Sequence, residues 1–390
     1  MRIFLSLVLC LALGSVAGVR PASSAEPPYD LNVILSLSGQ GAFIGKSNQD
    51  MLTAFQTAFN QRSTIGGRPL HFVFEDDQTA PQVSVQLANA LIAKNVPVFL
   101  GPSITGTCRA VGPLVQKGPV EYCLSPGIQP AKNSYVYSVS IASDDLVGVG
   151  LKYFRERGWR RIARLTTTDA TGQLADDAFA KWLALPANKD LTVVDDEHFA
   201  IGDISTTAQM SRIKAADPQV IVIWATGSPM GTALRAYADA GLEQPVFVTN
   251  SNMTTVQMKQ YATLLPKAYF SAAPGYVAGL AQTPGSKRAM DEYLASMVTA
   301  NIPNDYISGI TWDAAKVVTD ALQKLGPNAT ADQIRAFIQQ LSKYPGIAGT
   351  YNYSDGSQRG LSDKDLMVMR YDSVAQKWVS MSNFGGSPKR

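Results

Sequence analysis

The chain is poor in histidine. His71 and His198 are its two histidines among 390 residues, and both fall in segments that predict strands. A Ser-His-acid triad or a histidine-rich metal site needs more of these side chains than the sequence offers. We therefore interpret both histidines as structural, and the sequence predicts no catalytic residue, no metal and no cofactor.

The glycine patterns that hold phosphate are also missing. Gly39 and Gly41 are followed by Gly45, one position too late for the dinucleotide fingerprint, and there is no G-x-x-x-x-G-K-[ST] segment. The acidic run at residues 75–77 has no loop of spaced oxygen ligands after it, so we interpret it as a solvated turn and not as a calcium site. The missing glycine patterns disfavour a nucleotide-binding site.

Long apolar runs are absent beyond the N-terminus. Arg2, an apolar stretch at residues 3–12 and the small residues before Glu26 follow the order of a secretory signal peptide cleaved after Ala25. Cys10 follows a leucine, whereas a lipid-anchored protein has a small residue before its cysteine, so Cys10 is interpreted as part of the cleaved peptide. Residues 1–25 are therefore predicted to be a signal peptide, and the mature protein is predicted to be periplasmic. An uncleaved membrane anchor is the less favoured alternative because the stretch is short.

The mature chain has little net charge and few cysteines. Cleavage removes Arg2 and Arg20 and no acid, which lowers the formal charge from +3 to +1, so neither nucleic acid nor an anionic membrane is an expected partner. The remaining cysteines, Cys108 and Cys123, form either one disulfide or two separate thiols. The 365 residues left exceed what one core usually supports, which predicts two domains.

Short apolar strands alternate with amphipathic helices in two series. The first runs from a strand at residues 31–36 to one at 120–124, and the second from 161–167 to 246–248. This alternation predicts an α/β protein with two similar lobes, each a mainly parallel sheet flanked by helices. Helices dominate the following third, before extended segments near the C-terminus.

Four predicted strands end in loops rich in Ser, Thr and Gly, at residues 36–41, 101–107, 166–172 and 224–229. Ligands of open parallel sheets bind at such ends, where hydroxyl and N–H groups hold a carboxylate or another small anion. The same residues also cap helices, which is the competing explanation for any one loop. Trp224 and Tyr276 fall near strand ends or crossings of the chain, where an aromatic residue either stacks on a flat ligand or belongs to the core.

The order of these loops resembles a known family, the periplasmic substrate-binding proteins of branched-chain amino acid-type, ATP-driven importers, which are type I binding proteins similar to leucine-binding proteins. The resemblance covers nearly the whole mature chain. Its marks are residues 35–39 with Phe43 and Gly45, Phe74 to Asp77, Gly101-Pro102-Ser103, Ser125-Pro126-Gly127, Asp169 with Gly172, and Gly241-Leu242.

The resemblance implies a ligand cleft between two lobes joined by a three-crossing hinge. Lobe 1 would hold residues 26–143 and 277–350, and lobe 2 residues 144–276 and 351–390. The lobes would close on a small-molecule ligand, and the closed monomer would dock on a membrane permease.

The resemblance also implies a set of site residues. In the family, the loop matching Ser103, the groups matching residues 127–129 and a tyrosine before the glycine matching Gly172 hold the ligand carboxylate, while an acid matching Asn250 or its neighbour meets the ammonium. This chain has Thr171 in place of the tyrosine and no acid at residues 249–252. The candidate ligand-binding residues are Ser38, Ser103, Ile104, Thr105, Gly127, Gln129, Asp169, Thr171, Thr226, Asn250 and Tyr276.

A buried ammonium without a carboxylate partner is costly, so we expect a carboxylate-bearing ligand without a free amine, such as an aromatic acid stacked on Trp224 or Tyr276. An amide, urea-like or amino acid ligand in the same role is the alternative. Two other functions stay open: a ligand-sensing receptor domain of the same fold, and a secreted hydrolase that uses a carboxylate pair.

Overall fold

The computed structural model describes residues 26–125, 127–139, 141–264, 268–274, 280 and 283–389. The predicted signal peptide, residues 1–25, and the candidate site residue Tyr276 therefore lie outside the described residues. Within the described ranges, none of the helices combines the length and apolar character that crossing a membrane requires.

The N-terminal part of the described chain alternates strands and helices around one sheet. Its elements are β1 (Tyr29–Leu35), α1 (Ala42–Asn60), β2 (Leu70–Asp76), α2 (Pro81–Ala93), β3 (Val98–Leu100), α3 (Thr105–Val111), β4 (Val120–Cys123) and β5 (Val136–Ser138); α4 (Ser143–Arg157) comes next and packs with the second series. All strand pairs are parallel, in the order β2-β1-β3-β4-β5. This is the core sheet of lobe 1.

A second series follows and builds another sheet. Its elements are β6 (Arg161–Thr167), α5 (Ala170–Leu183), β7 (Thr192–Phe199), α6 (Thr207–Ala215), β8 (Val220–Trp224), α7 (Ser228–Asp239), β9 (Val246–Val248), α8 (Thr255–Gln260) and β10 (Ala268–Ala272). These strands are parallel to one another. This sheet is the core of lobe 2.

The C-terminal part returns first to lobe 1 and then to lobe 2. Its elements are α9 (Pro284–Ala300), α10 (Tyr306–Leu325), α11 (Ala331–Gln340), β11 (Tyr344–Pro345), β12 (Thr350–Tyr351), β13 (Met367–Asp372) and β14 (Lys377–Ser380). Helix α10 packs along α1, whereas β13 and β14 extend the second sheet to the order β14-β13-β10-β9-β8-β6-β7. Strand β13 is antiparallel to β10 and forms an antiparallel hairpin with β14.

The chain thus passes between the two sheets after β5, after β10 and before β13. Two mainly parallel sheets flanked by helices and linked in this way confirm the predicted two-lobed α/β fold. Their central strands are apolar because helices cover both faces of a parallel sheet. In β8, for example, all five residues of Val-Ile-Val-Ile-Trp are buried.

A disulfide joins α3 to β4 in lobe 1. Cys108 and Cys123 are both buried, and their Cα atoms are 5.9 Å apart. The bond ties the short helix that follows the loop at residues 101–104 to the strand that precedes the loop at residues 125–130. Both of these loops carry candidate site residues.

Candidate functional site

The loop between β1 and α1 is fixed by the acidic run. Ser36 Oγ donates to Asp77 Oδ1 over 2.7 Å, and the Ser38 hydroxyl donates to Asp76 Oδ2 over 2.7 Å. Asp77 also accepts from the Thr79 N–H and the Ser84 hydroxyl and is fully buried. The interpretation of this run as a solvated turn is therefore wrong for Asp77. The carboxylate is buried because hydroxyl and N–H donors surround it.

The Asp76 carboxylate gives a pH prediction. Burial raises its pKa, but hydrogen bonds from the Ser38 hydroxyl and the N–H groups of Gln78, Leu37 and Ser38 outweigh this effect, so the pKa of Asp76 is lowered. Because the pKa of Asp76 is lower in the folded chain than in the unfolded chain, its ionised carboxylate stabilises the fold fully above about pH 4. This stabilisation is lost as the pH falls through the folded-state pKa. Urea unfolding of wild type and Asp76→Asn should show a stability difference that shrinks from pH 6 to pH 3. A constant difference would contradict this account.

A chain of buried hydrogen bonds forms the lobe 1 wall at Ser103. The Ser103 hydroxyl donates to Asn48 Oδ1 over 2.8 Å, and Asn48 Nδ2 donates to Thr311 Oγ1 over 2.7 Å. All three residues are buried, and they come from the loop after β3, from α1 and from α10. The position of Ser103 is therefore set by two helices as well as by its own loop.

Thr105 and Gly127 lie against each other at the ends of β3 and β4. Thr105 Oγ1 is 2.9 Å from Ser125 Oγ, which also accepts a hydrogen bond from the Gly127 N–H over 3.2 Å. Gly127 packs so closely on Thr105 that a Cβ at this position would overlap the threonine side chain. Two of the predicted carboxylate-binding loops are thus in direct contact.

Two further candidates in lobe 1 lie in different surroundings. The half-buried Ile104 packs against Gly41 of the β1–α1 loop, which brings two of the predicted loops together. Gln129 is exposed, in contrast to the buried Gly127 two residues before it. The structure therefore does not group Gln129 with the buried polar residues of this wall.

In lobe 2, Asp169 acts as the N-cap of α5. Its Oδ1 accepts from the Gly172 N–H over 3.3 Å and from the Thr167 hydroxyl over 2.6 Å. Thr171 lies in the first turn of the same helix and is almost completely buried. The helix-cap explanation thus applies to Asp169, because a side-chain oxygen that bonds the N3 N–H is the standard cap.

Thr226 and Asn250 follow adjoining parallel strands, β8 and β9, and their loops are braced by one side chain. Asn252 Oδ1 accepts from the Gly227 N–H over 2.9 Å, and Asn252 Nδ2 donates to the Ala225 carbonyl over 2.7 Å. Thr226 Oγ1 and Asn250 Oδ1 are buried and have no hydrogen-bond partner within the described part of the chain. Unsatisfied buried oxygens are rare in folded proteins and call for an explanation.

Asn250 also reaches the other lobe. Its Nδ2 donates to Tyr306 Oη over 2.9 Å, and the fully buried Tyr306 is the first residue of α10. Tyr306, Asn48 and Thr311 were not predicted as site residues. All three lie on helices, whereas the predicted site residues lie in or next to the loops at strand ends.

Trp224 does not line the site. It is 1% exposed and packs edge-on against Phe179 and beside Phe247 in the core of lobe 2. The expectation that Trp224 stacks on a ligand is therefore wrong. The residue belongs to a central strand whose side chains are covered by helices.

The lobes touch each other at several points. Gln40 Nε2 donates to the Ile201 carbonyl over 3.3 Å, and the Thr255 N–H donates to Asp305 Oδ2 over 3.1 Å. Gly227 of lobe 2 lies directly against Phe43 of α1. These contacts join loops at the carboxyl ends of strands in one lobe to helix starts and loops in the other, so the two lobes are in contact at these points.

A buried arginine lies where the chain passes between the sheets. Arg359 Nη1 donates to Ser138 Oγ over 2.9 Å. Burial lowers the pKa of Arg359 to about 10, although Asp145 and Tyr306 act in the opposite direction. Burial, with the neighbouring Asp144 and Asp363, raises the pKa of Asp145 to about 6, while Arg359 opposes that shift.

Two clusters of the described residues have the ligand types that bind metals, and both are already engaged. Cys108 and Cys123, beside Glu121, form the disulfide. The other cluster joins Asp176, Asp196 and His198 on lobe 2, but the Arg164 guanidinium pairs with both aspartates, at 3.3 and 2.5 Å. A cation already balances these carboxylates.

The comparisons with known proteins agree with this architecture. The model of the periplasmic binding protein family matches residues 29–376. A search of curated proteins found no match.

Solved structures share the fold at low sequence identity. An extracellular ligand-binding receptor from Rhodopseudomonas palustris has a TM-score of 0.80 and 18% identity, covering 91% of this chain and 99% of its own. A solute binding protein of an ABC transporter from R. palustris, in complex with benzoate, has a TM-score of 0.75 and 18% identity, covering 93% and 97%. The branched-chain amino acid transporter substrate binding protein LivJ from Streptococcus pneumoniae, in complex with isoleucine, has a TM-score of 0.76 and 16% identity, covering 90% and 99%.

The family match spans well over half of the chain, and the neighbours show the same two-lobed fold. The chain belongs to the periplasmic binding protein family.

Proposed function

We propose that the chain is the extracytoplasmic solute-binding component of an ATP-driven importer, and that it captures a small carboxylate without a free amine. The observation that carries this proposal is the pair of buried oxygens without partners, on Thr226 and Asn250, at adjoining strand ends of lobe 2. Both residues lie beside contacts between the lobes, since Asn250 also bonds Tyr306 of α10 and Thr226 precedes Gly227, which lies against Phe43 of α1. A bound ligand would satisfy them.

The carboxylate would bind on the lobe 1 side. The Ser103 hydroxyl already donates to Asn48 Oδ1, so the hydroxyl donor on this side is that of Thr105, whose hydrogen bond with Ser125 allows either oxygen to donate. The contact between Thr105 and Gly127 holds their two loops together. Hydroxyl and N–H donors hold a carboxylate without a buried cation. The benzoate complex of the R. palustris neighbour supports this ligand class, because benzoate is an acid without an amine.

An ammonium group would lack a partner in this site. Residue 250 is an amide, and residues 249–252 contain no acid. Asp305 accepts from the Ser308 N–H through Oδ1 and from the N–H of Thr255, which lies outside this segment, through Oδ2. Burying an ammonium beside these groups would cost several kcal/mol, an order-of-magnitude figure for an uncompensated charge. An amino acid is therefore disfavoured as the ligand.

The two lobes would work by closure. Residues 26–143 and 277–350 would form lobe 1, residues 144–276 and 351–390 lobe 2, and the crossings near residues 143, 276 and 351 the hinge. The ligand would bind one open lobe and then bridge to the other, which selects the closed form. The closed monomer, without catalysis, would deliver the ligand to a membrane permease from the periplasm.

Thermal unfolding tests the proposal. The chain from residue 26 to 390 is refolded from denaturant to remove retained ligand and is heated with branched-chain amino acids, aromatic acids, dicarboxylates and amides. A ligand at 100 times its Kd adds about 2.7 kcal/mol, which raises the midpoint by a few degrees in a protein of this size. We expect an amine-free acid to raise it and the amino acids to leave it unchanged. Stabilisation by leucine alone would contradict the proposed ligand class.

A further inference from the structure

The orientation of the Asn250 amide defines what it offers to a ligand. Its Nδ2 donates to Tyr306 Oη, which leaves Oδ1 as the end of the amide without a partner. The residue is 1% exposed, and a buried amide oxygen is rarely left without a hydrogen bond in a folded protein. Because Oδ1 only accepts hydrogen bonds, a ligand group that bonds to it must be a hydrogen-bond donor.

Thr226 adds a second requirement at the neighbouring strand end. Its buried Oγ1 is also without a partner, and a hydroxyl both donates one hydrogen bond and accepts others. Asn252 holds residues 225–227 beside residues 249–252 through its two amide hydrogen bonds. The two unsatisfied oxygens therefore lie on two loops that one side chain holds together.

We infer that the surface formed by Asn250 Oδ1 and Thr226 Oγ1 binds a hydroxyl group of the ligand, so that the solute is a hydroxylated carboxylic acid. The ligand hydroxyl donates to Asn250 Oδ1 and accepts from the Thr226 hydroxyl. An ether has no hydrogen to donate to Asn250 Oδ1. An ammonium has no lone pair to accept from the Thr226 hydroxyl, and residues 249–252 contain no carboxylate to balance its charge. This inference rests on the proposed function and narrows its ligand class.

The expected size of the effect follows from hydrogen-bond energetics. An analogue without the hydroxyl leaves the two buried oxygens unpaired in the closed form, and such a loss lowers affinity by about 10- to 100-fold. Replacing Thr226 by valine keeps the shape and removes one of the two oxygens, so it should weaken the preference for the hydroxylated ligand. Thr232→Val is the matched control, because the Thr232 hydroxyl bonds the Ser228 carbonyl within α7.

The experiment is calorimetric titration of the refolded chain with two matched series. One series is mandelate, phenylacetate and phenylglycine, and the other is 4-hydroxybenzoate, 4-methoxybenzoate and benzoate. The two series place the hydroxyl at different distances from the carboxylate. We expect the hydroxylated member of one series to bind at least 10-fold more tightly than its unsubstituted partner, with the preference reduced in Thr226→Val and kept in Thr232→Val.

The charge swap Asn250→Asp provides an independent readout. It restores a carboxylate at the ammonium position implied by the family resemblance, so phenylglycine should gain affinity relative to mandelate. Binding of the unsubstituted acids as tightly as the hydroxylated ones in both series would overturn the hydroxyl inference and leave the carboxylate proposal standing. Absence of binding by every acid in both series, with wild type folded, would overturn the carboxylate proposal and the inference together.

Discussion

Replacing Gly127 with alanine is expected to lower the affinity for the carboxylate ligand by about 10- to 100-fold. A Cβ at this position overlaps the side chain of Thr105, so either the threonine or the loop after β4 must move. Overpacking of this kind costs about 1–3 kcal/mol. Both groups that would move belong to the proposed carboxylate site, so the displacement should reduce binding as well as stability. Calorimetric titration and thermal unfolding measure the two effects separately.

Gly106→Ala is the matched control for this prediction. Gly106 lies in α3 next to Thr105, and the nearest atom to an added Cβ is Pro81 Cγ at 4.0 Å, which is an ordinary contact. Alanine in a helix is more favourable than glycine by about 1 kcal/mol, so this variant should be at least as stable as wild type. Equal affinities for the two variants would show that the contact between Thr105 and Gly127 does not shape the site.

Replacing Trp224 with alanine is expected to lower the free energy of unfolding by about 3–5 kcal/mol and to leave the affinity of the folded protein nearly unchanged. The side chain fills space between Phe179 and Phe247 and is 1% exposed, so its removal leaves a cavity in lobe 2. Urea unfolding measures the loss of stability, and titration below the unfolding transition measures affinity.

Trp224→Phe separates the core role from the ligand role. It keeps an aromatic ring on β8 and much of the packing, so its loss of stability should be smaller than that of the alanine variant. A specific loss of affinity in the stable phenylalanine variant would contradict the assignment of Trp224 to the core and would restore the stacking hypothesis.

The fold could be predicted because each element has a strong local pattern. Strand β8 is a continuous apolar run, and α10 has an apolar face long enough to identify without the structure. Strands β5 and β10 were not predicted. Both contain serine or alanine beside tyrosine, and their pairing with β4 and with β9 and β13 is decided by distant parts of the chain, which a local pattern does not report.

The site could be predicted only to the level of loops. Parallel strands bring their carboxyl ends together, so the polar loop containing Thr226 was expected at the ligand-binding edge of its sheet, and Asn250 came from the family resemblance. The sequence did not show that Asp169 caps its helix or that Tyr306 bonds Asn250, because these contacts depend on side-chain orientation and on the approach of the lobes. A buried polar residue on a helix, such as Asn48, looks in sequence like an exposed one.

Calorimetric titration of the refolded chain, residues 26–390, tests the central claim most directly. The ligand is the acid that gives the largest thermal shift, and the comparison is its counterpart of the same carbon skeleton with an ammonium group. The account predicts one binding site per chain for the acid and at least 100-fold weaker binding of the amine, since no carboxylate stands at residue 250. Equal or tighter binding of the amine would contradict it.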